Sequence, residues 1–261
     1  MKEGNDIVLE VKDLNVSRGG QKVIENASFT VRMGDYTGIV GPNGGGKTTL
    51  VLSVLGQLPR DSGEIRLFGQ DIDRFDQWGK VAHVSQDAVN FDYNFPLTVR
   101  ELISMGRVNR GNLCRKLREE DWKKVDEALD IMAISDLADR RVGMLSGGQK
   151  QRAFVAKALV KEPKIIFLDE PLSGVDANAQ ENFYKVLSNL NQQKGITLLI
   201  VSHDLTAVFC RMSRVICVNR MVYESTVELD LDPNDLLKKA YGSHFHFVFH
   251  RHSCKGVFDD A

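Results

Sequence analysis

Cysteine, proline and tryptophan are scarce in this 261-residue chain, at 4, 6 and 2 residues, and neither sign of charge is in excess. Cys114, Cys210, Cys217 and Cys254 show no CxxC spacing. A disulfide framework and a zinc knuckle therefore lack support, and reduced thiols are expected, three of them as small apolar side chains. The 34 basic and 35 acidic side chains leave a net charge of -1, which implies no nucleic acid or other polyanion as a partner. Long hydrophobic runs are missing too. "KIIFL" and "TLLIV" fall far short of the roughly 20 apolar residues that span a bilayer. The opening "MKEGNDIVLE" carries acids where a signal peptide has its apolar core, so the expected location is cytoplasmic. No internal repeat is visible.

What is present is an ordinary globular composition, 43% hydrophobic and 26% charged, on a chain long enough for one large domain or a core with a lobe. "IVLEVKDLNV" alternates apolar and polar residues as a half-buried antiparallel strand does, and "ASFTVRMGDYTGIV" leads into a further strand ending at Val40. Helical signals prevail from about Asp87 to Arg141. "TVRE" makes a capping box of Thr98 with Glu101, and Trp122, Val125, Leu129 and Met132 recur near a 3.6 period. The mixed charges of "CRKLREEDWKK" read as a solvated helix face. Strands return in "GITLLIVSHD" and in the hairpin-like "RVICVNRMVYES".

Two stretches carry phosphate chemistry. After the strand Tyr36 to Val40, the residues Gly41, Pro42, Asn43, Gly44, Gly45, Gly46, Lys47 and Thr48 fit G-x-x-x-x-G-K-[ST], and Thr49 opens the helical "TLVLSVLGQL". The glycines let backbone N–H groups converge on phosphate oxygens at a helix N-terminus. Lys47 is expected to reach the β and γ phosphates and Thr48 to bind Mg²⁺. "KIIFLDEP" is a short apolar strand ending in two carboxylates, placing Asp169 for the metal and Glu170 for an attacking water.

Between them lies "LSGGQKQR", Leu145 to Arg152, ahead of a helix expected to reach Lys161 before Pro163. With it the chain resembles the ATP-binding subunits of ABC transporters, from Ile7 to about Tyr241. The resemblance implies an α/β fold: an ABC-type P-loop NTPase core with an antiparallel β subdomain and an inserted helical subdomain, about 87–145. One ATP-binding domain then covers 1–241, and a His-rich tail covers 242–261. It also implies ATP and Mg²⁺ as cofactors and a head-to-tail homodimer, in which Ser146, Gly147, Gly148 and Gln149 present a hydroxyl and free N–H groups to the partner's γ phosphate. Gln86 in "HVSQD" matches the family's metal- and water-contacting glutamine. Asp176 in "SGVD" matches its interface aspartate, and His203 its switch histidine. Taken alone, each has a plainer reading: a surface amide, a helix cap, a satisfied histidine. Arg18 stands where the family usually stacks an aromatic on adenine; a guanidinium plane can stack on a base as well.

The same resemblance implies an integral membrane permease and, indirectly, a solute-binding protein, with this chain peripheral on the cytoplasmic face of the membrane. "FDYNFPLTVRELISMGR", Phe91 to Arg107, is similar to the subfamily serving zinc and manganese importers. Read physically, it is only the docking surface of some permease. An importer of iron chelate or another solute, or a regulatory ABC ATPase without a permease, remains the alternative. Finally, "SHFHFVFHRHSC" holds four of the six histidines. If extended, it puts His244, His246, His250, His252 and Cys254 on one face, a donor set suited to Zn²⁺; a loosely ordered tail is the other reading.

Overall fold

The structure is a computed structural model and describes residues 7–86, 96–108, 111, 115–172, 174–227 and 233–242. The described parts of Met1–Asp76 and Gly195–Ala261 form one compact unit, and those of Gln77–Lys194 form another. In chain order the first unit supplies β1 (Ile7–Arg18), β2 (Gln21–Arg32), β3 (Tyr36–Val40), α1 (Lys47–Val54), β4 (Ser62–Leu67) and β5 (Gln70–Asp71). The second unit follows with β6 (Val81–Val84), α2 (Val99–Ser104), α3 (Glu119–Ile131), α4 (Gly147–Leu159), β7 (Ile165–Asp169) and α5 (Ala177–Lys194). The chain then returns to the first unit with β8 (Thr197–Val201), α6 (Leu205–Arg211), β9 (Arg214–Asn219), β10 (Met221–Thr226) and α7 (Pro233–Tyr241).

In the first unit, the alternation of β1 becomes an antiparallel sheet in the order β2-β1-β4-β5. Gly19 and Gly20, at φ 56 and 78, form the two-residue turn from β1 to β2, a pair of left-handed positions that matches the twist of the two strands. A second sheet runs β10-β9-β3-β8, with β3 parallel to both β8 and β9. Every residue of β3 and β8 is buried, Thr37 and Thr197 included, so neither strand shows the alternation of a half-exposed strand, as expected of parallel strands covered on both faces. The loop that leaves β3 therefore emerges between two parallel neighbours.

In the second unit, β6 pairs parallel with β7, and α2, α3 and α4 pack on one another. The capping box read from "TVRE" is present: Glu101 N–H donates to Thr98 Oγ1 at 3.2 Å, and Thr98 N–H donates to Glu101 at 2.8 Å. Val125 and Leu129 of α3 and Met132 just past it are fully buried, while Trp122 is half-buried at the edge of the stripe. α4 ends at Leu159, two residues short of the expected Lys161, and the turn to β7 runs through Glu162 in the left-handed region at φ 55.

A joint after α2 locks the three helices. A Cβ on Gly106 would stand 2.4 Å from Lys157 O and 2.4 Å from Val160 Cγ1, so only glycine lets the segment lie this close to α4. Arg107 beside it donates from Nε to Asp121 Oδ1 at 2.8 Å and from its guanidinium to Val160 O at 3.1 Å, tying the start of α3 to the end of α4. No helix among the described residues is long and apolar enough to cross a membrane.

Candidate functional site

The phosphate loop is held by backbone contacts that only glycine allows. A Cβ on Gly41 (φ 152) would lie 2.0 Å from Val218 O, and one on Gly45 would lie 2.7 Å from the same oxygen. Gly46, the residue before α1, has φ 103 and touches Val23 and Ile24 of β2. With the glycines wedged between β2 and β9, the intervening Asn43 and Gly44 stay exposed.

Lys47 opens α1 and is buried, and its Nζ donates to Gly41 O at 3.0 Å and Pro42 O at 3.1 Å. An ammonium folded back onto its own loop is a cation placed at a helix N-terminus, where dipole and charge both favour an anion. Thr48 is exposed and Thr49 buried, so of the two threonines Thr48 is the one open to solvent at the first turn. The first turn of α1 carries no acidic residue. A loop of glycines, a buried lysine and an exposed threonine at the helix start fits a magnesium-bound polyphosphate. His203 follows β8 and is exposed; the adjacent Asp204 caps α6 by accepting from Ala207 N–H at 2.9 Å, a cap that sequence reading had missed in "SHDLTA". Arg18 ends β1 opposite Gln21, exposed at the hairpin tip.

The second unit brings its own residues together. β7 delivers Asp169 buried at its last position, 3% exposed, with Glu170 immediately after it. Gln86 Nε2 donates to Glu170 Oε2 at 3.2 Å, so the two residues read separately in the sequence form one pair. Glu170 sits at φ 46, in the left-handed region that an L-residue with a long side chain rarely adopts. That conformation turns the chain sharply after Asp169 and was not legible from "LDEP".

Ser146 and Gln149 make a reciprocal capping box at the start of α4: Gln149 N–H donates to Ser146 Oγ at 3.4 Å, and Ser146 N–H to Gln149 Oε1 at 3.0 Å. Two of the N–H groups expected to be free are thus engaged with each other's side chains. The S-x-x-Q spacing was the signal for it. A Cβ on Gly148 would be 3.2 Å from Ala179 Cβ, so the first turn of α4 lies against the first turn of α5. Asp176 caps α5, accepting from Ala179 N–H at 2.9 Å. The histidines and Cys254 of the tail, Cys114, Ser173 and Phe91 to Phe95 of the aromatic stretch lie outside the described residues.

Comparison with known proteins adds the following. A family described as "ABC transporter" matches residues 24–173. The zinc uptake system ATP-binding protein ZurA of Listeria innocua is 39% identical over 215 residues, which cover 82% of this chain and 84% of that protein. The manganese transport system ATP-binding protein MntA of Synechocystis sp. is 39% identical over 197 residues, 76% of this chain and 75% of that protein. Among solved structures, an inward-facing metal-chelate type ABC transporter aligns with a TM-score of 0.77 at 25% identity, covering 90% of this chain and 89% of its own. These likenesses agree with the α/β P-loop fold read from the sequence.

Proposed function

The chain belongs to the ABC transporter family as an ATP-binding, ATP-hydrolysing subunit, and from that premise we propose that it powers import of a divalent metal ion, zinc or manganese. The catalytic part of the proposal is carried by one observation, the Gln86–Glu170 pair held at the left-handed turn after β7. A strained backbone at a carboxylate next to a buried aspartate is what a positioned, reactive group looks like.

In this reading Gly41 to Thr49 wrap the phosphates with backbone N–H groups, and Lys47 balances the β and γ charges. Thr48, Asp169 and Gln86 would hold Mg²⁺, which when bound draws charge from the phosphate oxygens. Glu170 orients the water whose oxygen attacks the γ phosphorus, the bond to the β–γ bridging oxygen breaks, and the water's protons pass to inorganic phosphate and solvent. His203 steadies the γ phosphate. Most of the acceleration in such a reaction is positioning and electrostatics rather than covalent chemistry.

Two copies act head to tail. Ser146, Gly147, Gly148 and Gln149 of each copy close on the other's nucleotide, and Asp176, beside α4, lines the same interface. A membrane permease takes up the resulting motion, with a solute-binding protein delivering cargo to it and this chain peripheral on the inner face. Relatives named for zinc and for manganese that match three quarters or more of the chain support the cargo. The likeness to a metal-chelate transporter favours chelated metal as the second reading.

The test has two arms. Glu170→Gln is expected to abolish ATP turnover while retaining ATP and stabilising the dimer, and wild-type turnover in that variant refutes the catalytic assignment. Uptake of radioactive zinc, manganese and an iron chelate by a deletion strain, with and without this chain, decides the cargo.

A further inference from the structure

The start of α2 is fastened to the segment that leads into α4. A helix leaves its first N–H groups without partners inside it. In α2, Thr98 N–H donates to the Glu101 carboxylate and Glu101 N–H to Thr98 Oγ1, while the two N–H groups between them reach across to another part of the chain. Val99 N–H donates to Arg140 O at 3.0 Å and Arg100 N–H to Ala138 O at 2.8 Å. In the opposite direction Val142 N–H donates to Leu97 O at 2.9 Å, and Thr98 and Arg141 form an isolated antiparallel bridge. Main-chain hydrogen bonds running both ways thus stitch 97–100 to 138–142. Val99 and Val142 are fully buried, so the amides of both sit away from bulk water, which cannot simply replace the bonds they make.

The path from this stitch to Ser146 is short and tightly wound. Only Gly143, Met144 and Leu145 separate Val142 from Ser146, and they follow a single 3-10 turn, Val142–Met144. Met144 N–H donates to Arg141 O at 3.0 Å and Leu145 N–H to Val142 O at 3.2 Å, and Leu145 is buried. Ser146 emerges from this turn exposed, capping α4.

We propose that the stitch sets the position of Ser146 for its partner's phosphate, with Val99 and Val142 as positioning residues that act through their main-chain N–H groups. The inference rests on the head-to-tail reading above, in which Ser146 of one copy closes on the nucleotide of the other. The capping box fixes the serine relative to α4, and the stitch fixes the turn that delivers it relative to α2. With one rung missing, that turn samples more conformations, and ordering it again costs free energy when the two copies close. The loss falls on closure. Binding of ATP to a single copy uses Gly41 to Thr48, which belong to the other compact unit, and is left alone.

Proline tests the rungs one at a time. Val142 and Val99 each open a helical turn, and the residues before them, Arg141 (φ -65, ψ 135) and Thr98 (φ -78, ψ 162), are extended, which is the conformation that a following proline favours. Val142→Pro and Val99→Pro therefore remove one N–H each where the ring is tolerated. In the full chain carrying Glu170→Gln, calorimetry should find the ATP dissociation constant of the single copy within about twofold of the parent, while sedimentation in ATP should find dimerisation weakened about three- to tenfold, the loss of one hydrogen bond. Val142→Ala keeps the N–H and gives up packing. It should melt at a lower temperature than the parent yet dimerise within about twofold of it. Either proline variant suffices should the other misfold. Parental dimerisation in the proline variants overturns the stitch, and so does a Val142→Ala chain that dimerises as weakly as Val142→Pro, because packing alone then explains the loss. A parent chain that binds ATP and stays monomeric overturns the head-to-tail reading itself, and the stitch with it.

Discussion

Glu170 presents an unusual opportunity to separate backbone strain from chemistry. Its φ of 46 places a long side chain in the left-handed region, where an L-residue is less stable than glycine by about 1–2 kcal/mol. Glycine at that position relieves the strain, but its greater freedom in the unfolded chain offsets roughly 0.5–1 kcal/mol of the gain. The Gln86 hydrogen bond is exposed, and a glutamine at 170 can retain it where glycine cannot, at a cost of roughly 0.5 kcal/mol or less. Set against Glu170→Gln, which keeps the strain, Glu170→Gly is therefore expected to be more stable by about 0.5–1 kcal/mol. For a chain of this size that is a melting temperature higher by about 1–4 °C. Both variants should lose ATP turnover. Differential scanning calorimetry of the two side by side reads the difference directly. If Glu170→Gly melts at or below Glu170→Gln, the left-handed turn is not strained and the structural support for a positioned carboxylate falls.

Other outcomes follow from packing and burial. Gly106→Ala puts a methyl 2.4 Å from Lys157 O, a backbone atom that cannot swing aside, so α2 and α4 must separate; urea titration should show a loss of about 1–3 kcal/mol, and a change under about 0.5 kcal/mol would contradict the close approach. Burial holds the His83 imidazole below its usual 6.5, and its Nε2 is buried without a hydrogen-bond partner. The unfolded chain takes up that proton first, so the His83 contribution is complete above about pH 6.5 and is lost as the pH falls through the depressed folded value. His83→Gln should flatten the decline in urea midpoint between about pH 7 and 5 relative to wild type; an identical slope in the two proteins would assign the decline to other groups.

What the sequence made legible are the features written in contiguous residues. The phosphate loop needs eight consecutive positions, the Thr98 box needs four, and a buried parallel strand such as β8, TLLIV, announces itself as a mostly apolar run with no alternation. What it hid depends on partners far along the chain. Nothing near Gly41 foretells that Val218 O will reach it from about 180 residues away, because the strand pairing of Val40 with Cys217 has to exist first.

The "MGR" of Met105 to Arg107 makes the same point from the other direction. In the sequence it reads as part of a cargo-subfamily pattern. In the structure Gly106 and Arg107 are the joint between three helices, one by lacking a Cβ and the other by spanning from Asp121 to Val160. Conversely, "SGGQ" suggested open N–H groups, and the fold first uses two of them to cap α4. The serine proposed to answer a partner's phosphate is thus already held in place by its own helix. In the proposed dimer its hydroxyl would arrive oriented, so little ordering would remain to be done at closure.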